Sequence, residues 1–127
     1  MPHTSTIAVV DDDEAIRGAM EDLLESCGYT GISFASALEF LSDPDHASFG
    51  CILSDVKMPG MDGIQMLAVL NKEPSRPPIV FMTSFADLRI RSAAMRSGAL
   101  AFLGKPVDIS ELLGFLEKAI GSPSIER

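Results

Sequence analysis

The chain has 127 residues, 46% of them hydrophobic, with 18 acidic against 10 basic residues and a formal net charge of −8. This describes one globular domain with a sizeable core rather than a disordered chain. The acidic balance argues against a surface that grips nucleic acid directly, no apolar run approaches membrane-spanning length, and "MPHTST" lacks a signal peptide's apolar region.

Ile7 to Val10 (IAVV) is a short, continuously apolar run, which suits a parallel strand covered on both faces. Ile16, Ala19, Met20, Leu23, Leu24 and Cys27 then recur at helical spacing, and Gly28 supplies a left-handed residue to end that helix. Gly31 to Ala35 is a weaker second strand. Ser36 with Glu39 reads as a capping box opening a short helix through Leu41. Cys51 to Leu53 is the third strand. Asp62 caps a helix carrying Ile64, Leu67 and Leu70, which must stop before Pro74.

Ile79 to Met82 is the fourth strand. The helix after it, from about Ala86 to Ser97, is rich in Ala and Arg. Its apolar residues Leu88, Ile90, Ala93, Ala94 and Met95 form no clean stripe, and a helix that buries little is a candidate for movement. Leu100 to Leu103 is the fifth strand. Asp108 with Glu111 opens a last helix with a stripe of Ile109, Leu112, Leu113, Leu116 and Ile120, ended by Gly121 and Pro123. Such alternation predicts a doubly wound α/β sheet with helices on both faces, where binding groups collect at the carboxyl ends of the strands.

Cys27 and Cys51 lack metal-ligand spacing and sit in apolar surroundings, so they read as buried free thiols suited to a reducing cytoplasm. His3 near the N-terminus and His46 in a polar loop have no catalytic context. The strand ends are richer. Asp11, Asp12, Asp13 and Glu14 follow the first strand and Asp55 closes the third. Thr83 and Ser84 follow the fourth strand, and Gly104, Lys105 and Pro106 the fifth. Taken singly, Asp55 is a turn residue, Asp13 and Glu14 favour a helix N-terminus, and Lys105 is a solvated charge. Those accounts do not explain why all of them meet at one sheet edge. Clustered carboxylates repel unless a cation joins them, and hard oxygen ligands from short loops suit Mg²⁺. A carboxylate beside that ion can act as a nucleophile and form an acyl phosphate, with Lys105 and the Thr83 hydroxyl stabilising the phosphoryl oxygens.

The motifs "VVDDDEAIR", "SDVKMPGMDG", "MTS" and "GALAFLGKPVD" make the chain, from about Ile7 to Ile120, resemble a receiver domain of two-component response regulators. The resemblance implies a flavodoxin-like five-stranded parallel sheet of order 2-1-3-4-5. It makes Asp55 the phosphoacceptor. It gives Mg²⁺, with Mn²⁺ as an alternative, to Asp12, Asp11 (directly or through water), Asp55 and the Lys57 backbone carbonyl. Thr83 and Lys105 would hold the phosphoryl group, and Lys105–Pro106 would be a cis peptide. Thr83 would move toward the phosphoryl group and Phe102 would swing into the vacated space, reshaping the face made by the fourth helix, fifth strand and fifth helix. Ser84 stands where the family more often has Gly or Ala, and Lys57 and Phe85 occupy positions that vary and tune dephosphorylation.

The implied partners are a sensor histidine kinase or phosphotransfer protein as donor, and a downstream protein or output domain on that face. A phosphorylation-dependent homodimer is also compatible. Nucleic-acid contact by this domain and membrane attachment are not expected. The resemblance implies a cytoplasmic switch rather than a turnover enzyme. On this reading residues 1–121 are expected to form the receiver, with 122–127 either a tail or the start of a linker. The "DDDEAIR", "SALEFL" and "KPVD" segments are similar to receivers of nitrogen-fixation and nodulation-type regulators, which carry a DNA-binding helix-turn-helix, so a transcriptional output is compatible. Three alternatives fit less well. A small Asp-nucleophile phosphohydrolase needs a second acid just after the nucleophile, which "Asp55-Val-Lys-Met-Pro" does not offer. A flavin carrier needs a phosphate-cradling loop where four acids stand. A non-phosphorylated pseudo-receiver would not need every motif residue.

Overall fold

The computed structural model describes residues 3–84 and 87–120. In chain order these form β1 (His3–Val10), α1 (Glu14–Ser26), β2 (Thr30–Phe34), α2 (Ala37–Leu41), a 3-10 turn (His46–Ser48), β3 (Phe49–Asp55), α3 (Gly63–Leu70), β4 (Ile79–Thr83), α4 (Leu88–Arg96), β5 (Ala101–Gly104) and α5 (Ile109–Ile120). The strands make one sheet of order β2-β1-β3-β4-β5, and every pairing is parallel. Phe85, Ala86 and the helix end expected at Gly121 and Pro123 lie outside the described residues.

Two apolar layers follow from the period-two alternation of strand side chains. Ala8, Val10, Ile52, Ile79 and Phe81 face one side with Phe40 of α2, Met66, Leu67 and Leu70 of α3, and Ala94 of α4. Ile7, Val9, Cys51, Leu53, Val80 and Met82 face the other with Leu24 of α1 and Leu112 and Leu116 of α5. The caps follow local chemistry. Asp13 accepts from the Ala15 and Ile16 amides, Asp62 and Gln65 form a reciprocal capping box, and Gly28 ends α1 at φ 93°. Ser36 caps α2, but the Glu39 carboxylate reaches the Ala35 amide rather than that of Ser36.

Several elements differ from the sequence reading. β1 begins at His3, because pairing of His3 with Phe49 uses backbone groups and needs no apolar side chain. β2 begins one residue early and is an edge strand, leaving Ile32 44% exposed. α4 begins at Leu88, capped by Asp87, and Ala94 is its one fully buried side chain among those described, in keeping with its weak pattern. Ile109 is exposed rather than part of a buried stripe. Cys27 is half-buried at the end of α1, while Cys51 is fully buried; both are free thiols, and burial pushes the Cys51 thiol up to about 12. His46 sits in the 3-10 turn, where its ring meets Phe40 edge-on and its Nε2 lies 2.9 Å from Glu73 Oε2. No described helix is long and apolar enough to cross a membrane.

Candidate functional site

Strand register brings the polar residues together. Val10 pairs with Ser54, so the next residues, Asp11 and Asp55, leave neighbouring strands at the same level. Asp55 pairs with Met82, which places Thr83 one step further along β4. Thr83 in turn pairs with Gly104, and Lys105 follows directly. Four separate segments thereby deliver side chains to one edge, and adjacent parallel strands fix their spacing.

Lys105 ties the edge together. Its Nζ donates to Asp11 Oδ2 at 3.1 Å and to Asp55 Oδ2 at 3.2 Å. The Asp11 side chain is 1% exposed, the Asp55 side chain 14% and that of Lys105 15%, so these charges meet with little solvent between them. Burial raises the Asp55 carboxyl above its ordinary value; Lys105 opposes that rise and Asp11 adds to it. Burial lowers the Lys105 ammonium, but the two aspartates outweigh that effect and raise it, so it stays charged. Carboxylate oxygens of Asp11, Asp12 and Asp55 lie within 4.8 Å of one another, with Asp11 buried and Asp12 exposed. One ammonium against three carboxylates leaves the pocket negative. An oxygen-only donor set of this charge fits a hard divalent cation such as Mg²⁺.

The other predicted positions are placed as follows. Thr83 is fully buried, and Ser84 and Lys57, the latter in the loop after β3, are exposed. The Lys105–Pro106 peptide is cis. Phe102 is half-buried and packs on the layer shared with α2, α3 and α4.

Three residues with roles at this edge escaped the sequence reading. Arg17 Nη1 donates to the Asp11 carbonyl at 2.9 Å. Ser54, itself fully buried, donates through its hydroxyl to the Asp55 carbonyl at 2.8 Å. Gly63 starts α3 so close to β3 that an added Cβ would stand 2.5 Å from the Asp55 carbonyl oxygen. The signals were faint: an Arg one turn into a helix, a Ser inside a strand, and a Gly after a capping Asp. α1 also buries less of its apolar stripe than its spacing predicts. Ile16, Ala19, Met20 and Leu23 line an open groove of about 610 Å³ with Val107 and Ile109, and it ends beside Ser84 and Lys105.

A family model for the response regulator receiver domain matches residues 7–117. The chain belongs to that family. Receiver domains are signalling domains rather than ordinary enzymes, they bind Mg²⁺ at an acidic pocket, and they work with histidine kinases and output domains. Transcriptional regulatory protein FixJ of Bradyrhizobium diazoefficiens is 41% identical over 114 residues, which cover 90% of this chain and 56% of that protein. Response regulator protein TodT of Pseudomonas putida is 34% identical over 116 residues, covering 91% and 51%. This receiver thus spans about half the length of these curated relatives. Among solved structures, the chemotaxis protein CheY4 of Vibrio cholerae superposes with a TM-score of 0.81 at 28% identity, covering 90% of this chain and 97% of that one.

Proposed function

We propose that this receiver accepts a phosphoryl group on Asp55 from a phosphohistidine donor, a sensor kinase or phosphotransfer protein, in a Mg²⁺-dependent reaction. The observation that carries the proposal is the Lys105 ammonium shared between Asp11 and Asp55 at 3.1 and 3.2 Å. An Asp55 carboxylate oxygen attacks phosphorus, the P–N bond to the donor imidazole breaks, and the imidazole leaves with the bonding electrons. Lys105, already on Asp55 Oδ2, is within reach of an oxygen of the incoming group, and Thr83 and Ser84 lie at the same strand end. Mg²⁺ held by Asp11, Asp12, Asp55 and the Lys57 carbonyl would offset the carboxylate charge and polarise the phosphoryl oxygens. The donor needs a surface beside Asp55, and the apolar groove along α1 ending at Lys105 supplies one.

The output follows from what Lys105 and Thr83 do next. Drawing both toward the phosphoryl group loosens the packing beneath them, where half-buried Phe102 can move inward and α4, anchored by few buried side chains, can shift. The α4-β5-α5 face would then engage a downstream protein, an output domain or a second copy of the chain. Transcriptional control, as in the name of FixJ, and action as a lone receiver are both compatible with this.

The test is intact mass after incubation with a small-molecule phosphodonor, with and without Mg²⁺, beside an Asp55→Ala variant. Wild type should gain one phosphoryl group only with Mg²⁺, and the variant none. Equal gain by both proteins would remove Asp55 from its role.

A further inference from the structure

We propose that Arg17 is a positioning residue for the Mg²⁺ site, holding the Asp11–Asp12 peptide in the orientation that presents Asp12 to the metal. The proposal rests on the assignment of Asp11, Asp12 and Asp55 to Mg²⁺ given above.

Asp11 is gripped on every side. Its amide donates to the Phe34 carbonyl at 3.1 Å, its Oδ1 accepts the Asp13 amide at 2.9 Å, and its Oδ2 accepts Lys105. Its carbonyl oxygen accepts Arg17 Nη1 at 2.9 Å. That last contact differs in kind, because the Asp11 carbonyl belongs to the planar peptide leading into Asp12. Fixing the carbonyl direction fixes the plane, and so the direction in which Asp12 leaves the strand. The Asp12 carboxylate is exposed, and no hydrogen bond or ion pair to another described residue holds it. Its place opposite Asp55 is therefore set by the backbone. Arg17 is well mounted for this: its own amide bonds the Asp13 carbonyl at 3.0 Å, and Asp13 caps the same helix. The guanidinium makes the contact a charge-assisted one, stronger than a neutral pair. Partners that orient metal ligands without touching the metal typically change affinity by about 10–100-fold when lost.

Charge and positioning predict opposite signs here. A guanidinium near the pocket repels Mg²⁺, so removing it for charge alone would tighten binding; removing a positioning contact would weaken it. Mg²⁺ is titrated by calorimetry into wild type, Arg17→Met and Arg17→Lys, with thermal unfolding followed in metal-free buffer. Arg17→Met should bind about tenfold more weakly. Arg17→Lys, which keeps the charge but stops short of the Nη1 position, should fall between. In metal-free protein the Asp11 carbonyl ¹³C and Asp12 amide resonances should move in Arg17→Met, while those of α5 stay in place. Binding by Arg17→Met as tight as wild type, or tighter, overturns the proposal. Should Arg17→Met lose its cooperative thermal transition, Arg17→Lys decides: several-fold weaker binding supports the proposal, and an unchanged constant overturns it. Wild type that binds no Mg²⁺ sinks the metal assignment and the proposal with it, whereas wild-type binding beside an unaffected Arg17→Met sinks the proposal alone.

Discussion

Replacing Gly63 with alanine would put a methyl carbon 2.5 Å from the Asp55 carbonyl oxygen, 2.7 Å from Phe81 Cε1 and 3.2 Å from Val56 Cα. Ordinary contact begins at 3.4 Å, so the Asp55 carbonyl must recede by about 0.9 Å or α3 must lift away. Neither moves freely. The Asp55 carbonyl is bonded by the Ser54 hydroxyl, Phe81 is fully buried, and the Gly63 amide donates to the Val56 carbonyl at 2.8 Å. Overpacking of this kind costs about 1–3 kcal/mol, and rigid partners put it at the upper end. The gain in helix propensity offsets less than about 1 kcal/mol, because Gly63 is the first residue of α3. The net loss should be about 2 kcal/mol, or about 6–8 °C in Tm for a domain of this size. Gly18 in α1 and Gly114 in α5 are the controls, since a Cβ at either meets nothing within 4 Å. Alanine there should stabilise by about 0.5–1 kcal/mol. Urea unfolding followed by far-ultraviolet circular dichroism reads all three variants. With Asp55 as the proposed phosphoacceptor, phosphoryl gain by Gly63→Ala should also slow, because the push falls on the Asp55 carbonyl itself. A Gly63→Ala protein as stable as wild type would show that the close approach of α3 to β3 imposes no constraint.

Two further outcomes are expected. Burial lowers the His46 imidazole, but the Asp43 carbonyl and the Glu73 carboxylate outweigh it and raise the group above 6.5. With the folded value raised, its contribution to stability is fully present below the unfolded value of about 6.5 and is lost as pH rises through the folded value. Urea midpoints between about pH 5.5 and about pH 8.5 should show that loss, Glu73→Gln should flatten it, and an NMR titration placing His46 at or below 6.5 would rule it out. Far from the acidic pocket, Arg76 donates to Asn71 Oδ1 at 2.7 Å and to the Pro77 and Gly98 carbonyls, while Asn71 Nδ2 donates to the Ser97 carbonyl at 2.8 Å. Arg76→Ala should cost about 1 kcal/mol and speed amide exchange near Ser97 and Gly98 about fivefold, with α1 amides unchanged; uniform acceleration would show that the clamp is not local.

The sequence alone determined the alternation of strands and helices, because compact apolar runs and capped helical stripes are local features read over a few residues. It also determined that carboxylates, a hydroxyl and an ammonium fall at strand ends, and resemblance supplied the strand order. Tertiary structure decided what depends on pairing and packing. Register places Asp11 level with Asp55 and Lys105 within 3.2 Å of both, which no spacing along the chain specifies. Coverage decides which half of an apolar stripe is buried: Leu24 is covered, while Ile16, Met20 and Leu23 line an open groove that a helical pattern cannot foresee. Gly63 shows the same limit. A chain that turns from Asp55 into α3 tells nothing of how near the helix returns, and only the folded approach of 2.5 Å makes a side chain there costly. Local chemistry chose the groups at this edge; long-range packing set the distances at which they act.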